Sequence, residues 1–132
     1  MTEHGGHEGE RGSSPVEFVL VGTLLTLLTL AVLQVALAVY VRNVVHDAAV
    51  EGAYHAALAD TTPEEGAART RLVITRAVGA EYADDVTVGI GDQGGQETVV
   101  VKVRTMLPVI GLIGLPRALE VDAHAPAESF GE

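Results

Sequence analysis

From Phe18 to Val41 the chain runs for 24 residues without a charged side chain. At ~1.5 Å rise per residue such a helix spans roughly 36 Å, enough to cross a ~30 Å hydrocarbon core with some tilt. A secretory signal peptide has a shorter apolar region, about 7–15 residues, ending at a small-residue cleavage site. Here the apolar run continues into Arg42-Asn43-Val44-Val45-His46-Asp47, which is compatible with helix and contains no turn signal. A retained transmembrane helix is therefore expected. Beyond it, residues 42–132 carry 7 basic and 14 acidic side chains, a net charge of −7. A hydrophobic rod joined to an acidic region excludes an ordinary soluble globular enzyme. It also excludes a nucleic-acid binder, because phosphates need a basic footprint and this field has the opposite sign. With no cysteine, disulfide scaffolds, thiolate metal sites and cysteine nucleophiles are excluded as well.

The segment in front of the rod is dominated by glycine and charge over residues 1–12, a composition that cannot bury a core. Gly12-Ser13-Ser14-Pro15-Val16-Glu17-Phe18 then leads straight into the apolar run. A carboxylate at the mouth of a membrane helix is costly to bury. Ser14-Pro15-Val16-Glu17 fits a capping box, with Ser14 as N-cap, Pro15 first in the helix and Glu17 third. The negative charge would also suit the helix N-terminus.

The whole string resembles the class III signal of type IV prepilins, in its tight-adherence (Tad, Flp-type) branch. Gly12 matches the residue before the cut and Ser13 the new N-terminus. Glu17 matches the fifth-position glutamate, and Phe18 the aromatic that often follows it. Within that branch the chain resembles the TadE-like minor pilins, or pseudopilins. In these a single N-terminal helix runs through an Ala/Gly-rich stretch into a small variable domain. Ala48-Ala49-Val50-Glu51-Gly52-Ala53 is similar to that stretch. The resemblance is specific over residues 11–60 and loose afterwards. It implies a substrate of prepilin peptidase, not an enzyme. It also implies partnership with other pilins and the membrane assembly platform, with no cofactor. One arginine on each side of the span, Arg11 and Arg42, does not set the orientation by the positive-inside rule. The resemblance places the N-terminus in the cytoplasm and the acidic domain outside. Two other functions share the rod. One is a single-pass membrane protein with an external ligand-binding domain. The other is a pseudopilin of a type II secretion or DNA-uptake apparatus.

The helix is expected to extend to about Ala59. Ala48, Ala49, Gly52, Ala53, Ala56 and Ala57 recur at helical spacing, either as a face for close helix contact or as a helix of good propensity. Asp60-Thr61-Thr62-Pro63-Glu64-Glu65 reads as a turn and a new start, with Thr62 as N-cap, Pro63 first and Glu65 as capping-box partner. That helix should close near Gly79. Val86, Val88 and Ile90 alternate with Thr87 and Gly89 as in a strand. Gly91–Gly95 reads as a turn. Val99, Val101, Val103 and Thr105 alternate with Val100, Lys102, Arg104 and Met106. Leu119, Val121, Ala123 and Ala125 alternate with Glu120, Asp122 and His124. The expected class is α+β: the long helix, a second helix and about three antiparallel strands. The domains are a leader over 1–12, the membrane helix and its extension over 13–60, and a small extracytoplasmic domain over 61–132.

Other patterns have ordinary explanations. Leu107–Pro116 is apolar and bounded by prolines, and suits a loop folded over the core better than an exposed contact patch. His46 and His55 are nine residues apart and so fall on different helix faces. No histidine pair has the i, i+4 spacing of a helical zinc site, and no metal is expected. Gly89-Ile90-Gly91-Asp92-Gln93-Gly94 matches GxGxxG but precedes a strand instead of opening a helix, so it reads as a hairpin turn. Asp84-Asp85 has no nucleophile or base beside it and reads as a solvated turn.

Overall fold

The computed structural model describes residues 12–108 and 114–128. Residues 1–11, all but the last residue of the leader expected over 1–12, lie outside the described residues, as do 109–113 at the centre of the apolar segment and 129–132. The elements are α1 (Ser13–Ala57), α2 (Pro63–Ala77), a short 3-10 turn (Ala80–Tyr82), β1 (Asp85–Gln93), β2 (Gln96–Pro108) and β3 (Gly114–Pro126). This is the α+β arrangement expected. The chain divides into two compact units, Met1–Val35 and Ala36–Glu132, and the boundary falls inside α1.

In the first unit α1 is apolar around its whole circumference, and its leucines and valines are exposed. Thr23, Thr26 and Thr29 turn their hydroxyls back onto the carbonyls of Val19, Gly22 and Leu25, at 2.7, 2.8 and 2.8 Å. Each hydroxyl is thereby satisfied without water, which lets threonine sit in hydrocarbon at little cost. α1 is long and apolar enough to cross a bilayer, with a mean hydropathy of 2.4 over its most apolar window.

The second unit is an antiparallel meander in the order β1-β2-β3 with helices on one face. Alternation dictates the faces. Val86, Val99, Val101, Val103, Leu119, Val121, Ala123 and Ala125 point into the core. Lys102, Arg104, Glu120, Asp122 and His124 point away from it. The β1–β2 turn needs only Gly94 and Gly95, at φ 67° and 85°, the two left-handed positions of a tight hairpin. β1 therefore runs to Gln93, which pairs with Gln96. Gly91, Asp92 and Gln93 are strand residues, not the turn expected for them. Asp92 accepts a hydrogen bond from the Gly95 amide at 2.8 Å and fixes the reversal.

Leu107 pairs with Leu115 and Pro108 with Gly114, so both ends of the apolar segment belong to the β2–β3 ladder and not to a loop. The register shifts between Thr105 and Leu107. Pro116 lies within that shift on β3, where its missing N–H cannot serve the ladder.

α2 begins as its sequence specifies. The Thr62 hydroxyl accepts from the Glu65 amide at 3.3 Å, and the Glu65 carboxylate accepts from the Thr62 amide at 2.7 Å. The helix ends at Val78 as C-cap. Gly79 follows at φ 124° and donates to the Ile74 carbonyl at 3.3 Å.

The C-terminal half of α1 buries Val41, Val45, Ala48, Ala49, Gly52, Ala53, Ala56 and Ala57. Its small-residue face is used for close contact, with α2. A β-carbon on Gly52 would overlap the Thr70 hydroxyl and come within 2.8 Å of the Gly66 carbonyl. One on Gly66 would overlap Ala56. The two backbones approach this closely only because both positions are glycine. Arg69 donates to Glu51 at 2.7 Å beside this crossing, and Arg71 donates to the Val86 carbonyl at 2.9 Å, tying α2 to β1. The Glu128 amide donates to the Ala57 carbonyl at 2.9 Å and fastens the chain after β3 to the end of α1.

Candidate functional site

The residues singled out by the resemblance lie together at the N-terminal end of α1. Gly12 is an exposed turn residue, and Ser13 is the first residue of the helix. The Gly12–Ser13 peptide bond is therefore the junction between turn and helix. Ser13 and Glu17 are four residues apart in one continuous helix, which places them on the same face about one turn from each other. Glu17 is exposed, and Phe18 beside it is 79% exposed. A phenyl ring and a carboxylate thus stand side by side where the uncharged run begins.

The helix start differs from the expected one. α1 begins at Ser13, one residue ahead of the expected cap at Ser14, and carries no acidic residue in its first turn. Glu17 is the fifth helical residue, so it does not hold the third position of a Ser14 capping box. Pro15 tolerates this start because the first-turn amides have no helical acceptor to lose. The side chain of Glu17 is exposed.

Several of the other charged residues form local pairs. Arg104 donates to Glu120 at 2.9 Å, and the Lys102 ammonium stands 3.7 Å from the same carboxylate. The hydrogen bond and positive charge of Arg104, helped by Lys102, hold the Glu120 carboxyl below its ordinary value. His124 lies 3.7 Å from Asp122, and His46 3.7 Å from Asp47. Asp85 lies in β1 opposite Arg104. Among the described residues there is no group of three or more His, Asp or Glu that could hold a metal ion. An open groove of about 380 Å³ beside the end of α1 is lined by Tyr54, His55, Leu58 and the Glu51–Arg69 pair. Glu51 and Arg69 pair with each other there, and Glu128 also lines the groove.

Two features escaped sequence reading. Gly66 has the look of a helix-weakening glycine, and only its contact with Gly52 and Ala56 shows why it is there. Gln34 is half-buried with its Oε1 shielded, and it is the one amide in the Phe18–Val41 run, so it could have been found by that alone.

The model of the TadE-like protein family matches residues 12–53. Over these residues the chain is similar to that family. The matched segment opens at Gly12, contains Ser13, Glu17 and Phe18, and ends one residue past the Gly52 contact with α2. The sheet and α2 lie beyond it. No curated protein and no solved structure matches the chain.

Proposed function

We propose that the chain is a TadE-like minor pilin, or pseudopilin, of a tight-adherence pilus or secretion system. Prepilin peptidase cuts it between Gly12 and Ser13, removing residues 1–12 as a leader. The helix from Ser13 is held in the membrane with its N-terminus cytoplasmic and then taken up into an assembly. The α+β domain stays on the outer face. Its partners are the peptidase, other pilins and the membrane platform. The role is structural, not enzymatic.

The observation that carries this reading is that the TadE-like match begins at Gly12 and runs through Glu17 and Phe18 into the uncharged helix. The exposed turn-to-helix junction at Gly12 and Ser13 supports it, because a peptidase needs an accessible bond. So does the position of Glu17. An unpaired carboxylate inside an apolar bundle costs several kcal/mol. Cutting at Ser13 creates an α-amino group on the helix face that Glu17 also occupies. In a staggered bundle the amine of one subunit meets Glu17 of the next, and a charge-assisted hydrogen bond offsets the cost and sets the register.

Glu17→Gln tests this arrangement. The variant should be inserted and cut normally but be lost from the sheared or co-purified assembly fraction. Incorporation equal to that of the unmodified chain, with cutting intact, would contradict the assembly role of Glu17.

A further inference from the structure

The folded unit Ala36–Glu132 has a direction along α1. The Glu128 amide donates to the Ala57 carbonyl, which sets the chain after β3 beside the last turn of α1. Pro126, near that point, pairs with Thr98, so the same end of the sheet holds the start of β2. α2 runs back along α1: Gly66 lies against Ala56, and Thr70, one turn on, against Gly52. Arg71 then ties α2 to Val86 near the start of β1. β1 therefore starts on the side of the unit that looks back towards the apolar run, and β2 returns to that side. β2 also goes further. β1 begins opposite Arg104, whereas the β2–β3 ladder continues to Leu107 paired with Leu115 and Pro108 paired with Gly114. Nine residues separate Thr98 from Leu107, or ~30 Å of strand. Sixteen separate Ala57 from Val41, or ~24 Å of helix. The ladder is thus long enough to reach the level of Val41, the last residue of the uncharged run, and to pass it. Burial on α1 agrees, because Val41 is 2% exposed and Ala38, three residues further in, is half-buried. The folded unit covers α1 beyond the point where charge ends.

We propose that this end of the β2–β3 ladder enters the bilayer beside α1 and rests in the headgroup and upper acyl region. The partner is lipid, and the chemistry of the segment suits it. Residues 105–116 contain no charged side chain. Arg104 and Arg117 close that stretch on its two strands, as Arg42 closes the uncharged run on α1. Long basic side chains are suited to the headgroup level, with their stems along apolar surface. Past Arg104, β2 has no β1 neighbour, and lipid cannot satisfy a free strand edge. Pro108 and Pro116 each remove an N–H that hydrocarbon could not accept. The inference rests on the bilayer reading of α1 and not on the pilin reading. It holds for either orientation of α1, since the folded unit follows the helix to whichever surface it leaves.

The unmodified full-length chain, held in phosphatidylcholine nanodiscs that carry a photoactivatable group on the acyl chain, gives the test. After illumination, trypsin cuts at the arginines and lysine and releases peptides 12–42, 77–102 and 105–117. Lipid adducts should appear on 12–42 and on 105–117 and be absent from 77–102, which holds most of β1 and the β1–β2 turn. Adducts on 12–42 alone overturn the insertion and leave the bilayer reading standing. Adducts on neither peptide overturn the bilayer reading and the insertion with it. The chain has no native cysteine, so single dye-labelled cysteines give a second reading. A dye at Met106→Cys should lose most of its emission to a spin label on the upper acyl chain and little to iodide in the water. A dye at Asp92→Cys, at the far end of the sheet, should do the reverse. Iodide quenching as strong at Met106→Cys as at Asp92→Cys would overturn the insertion. So would shielding of Met106→Cys from both quenchers, because protein and not lipid would then cover it.

Discussion

The two halves of α1 are one helix written for two solvents. Before Val35 the large side chains project all around and are exposed, with Leu24, Leu28 and Leu33 among them. After Ala36 the helix has sides, and the buried one is built from valine, alanine and glycine. Bulky aliphatics all around suit a medium as apolar as themselves, where nothing needs to fit. Small residues on one face suit a rigid protein neighbour, where every methylene must fit. The same α-helical backbone thus has loose steric tolerance in its first half and tight tolerance in its second.

That contrast breaks most visibly under a buried charge. Val45→Asp should destabilise the Ala36–Glu132 unit by on the order of 3–5 kcal/mol, because Val45 is fully enclosed. Limited proteolysis of the membrane-bound chain would show it as cutting within the sheet while membrane retention stays normal. Leu28→Asp should do the reverse. It should weaken insertion by about 2.5–3.5 kcal/mol and leave the folded unit protease-resistant. If either variant produced both defects, the halves would not be independent.

Glycine sharpens the same comparison at smaller scale. Gly52→Val must push α2 away at Thr70 and Gly66, a cost of about 1–3 kcal/mol or more. A β-carbon at Gly22 meets nothing within 4 Å, so Gly22→Val should stay within about 0.5 kcal/mol of the unmodified chain. Thermal midpoints of the detergent-solubilised full chain give both values.

The smallest effect lies on the outer face of the sheet. The Glu120 carboxyl is lowered first by its hydrogen bond from Arg104 and then by the charge of that arginine. A carboxyl lowered by folding adds stability above its ordinary value, and that contribution fades as pH falls through the lowered one. Arg104→Gln should move the Glu120 titration, followed by its carboxyl carbon resonance, back upward. Because the pair is exposed, the unfolding midpoint should hardly change.

What could be read from sequence was whatever repeats or caps locally. The alternation of Val99–Thr105 with Lys102 and Arg104, and of Leu119–Ala125 with Glu120 and Asp122, marked both strands and their faces. Thr62, Pro63 and Glu65 marked a helix start because the box closes within four residues. Ser14, Pro15 and Glu17 spell the same pattern, but α1 starts at Ser13, one residue ahead of the cap that this pattern marks. Gly91 looked like turn material, yet two left-handed glycines sufficed and the strand absorbed it. The Gly52–Gly66 contact was illegible for another reason. It depends on where α2 crosses α1, which no local spacing encodes. The candidate site was legible residue by residue at Gly12, Ser13, Glu17 and Phe18. The structure adds that they lie at the start of a single helix, with Ser13 and Glu17 on one face.

The reading as a processed pilin subunit stands on the bond between Gly12 and Ser13. Its direct test is the N-terminal sequence of the protein extracted from membranes of cells with an active prepilin peptidase. The chain should begin at Ser13. A chain that still carries residues 1–12 in those cells would contradict it.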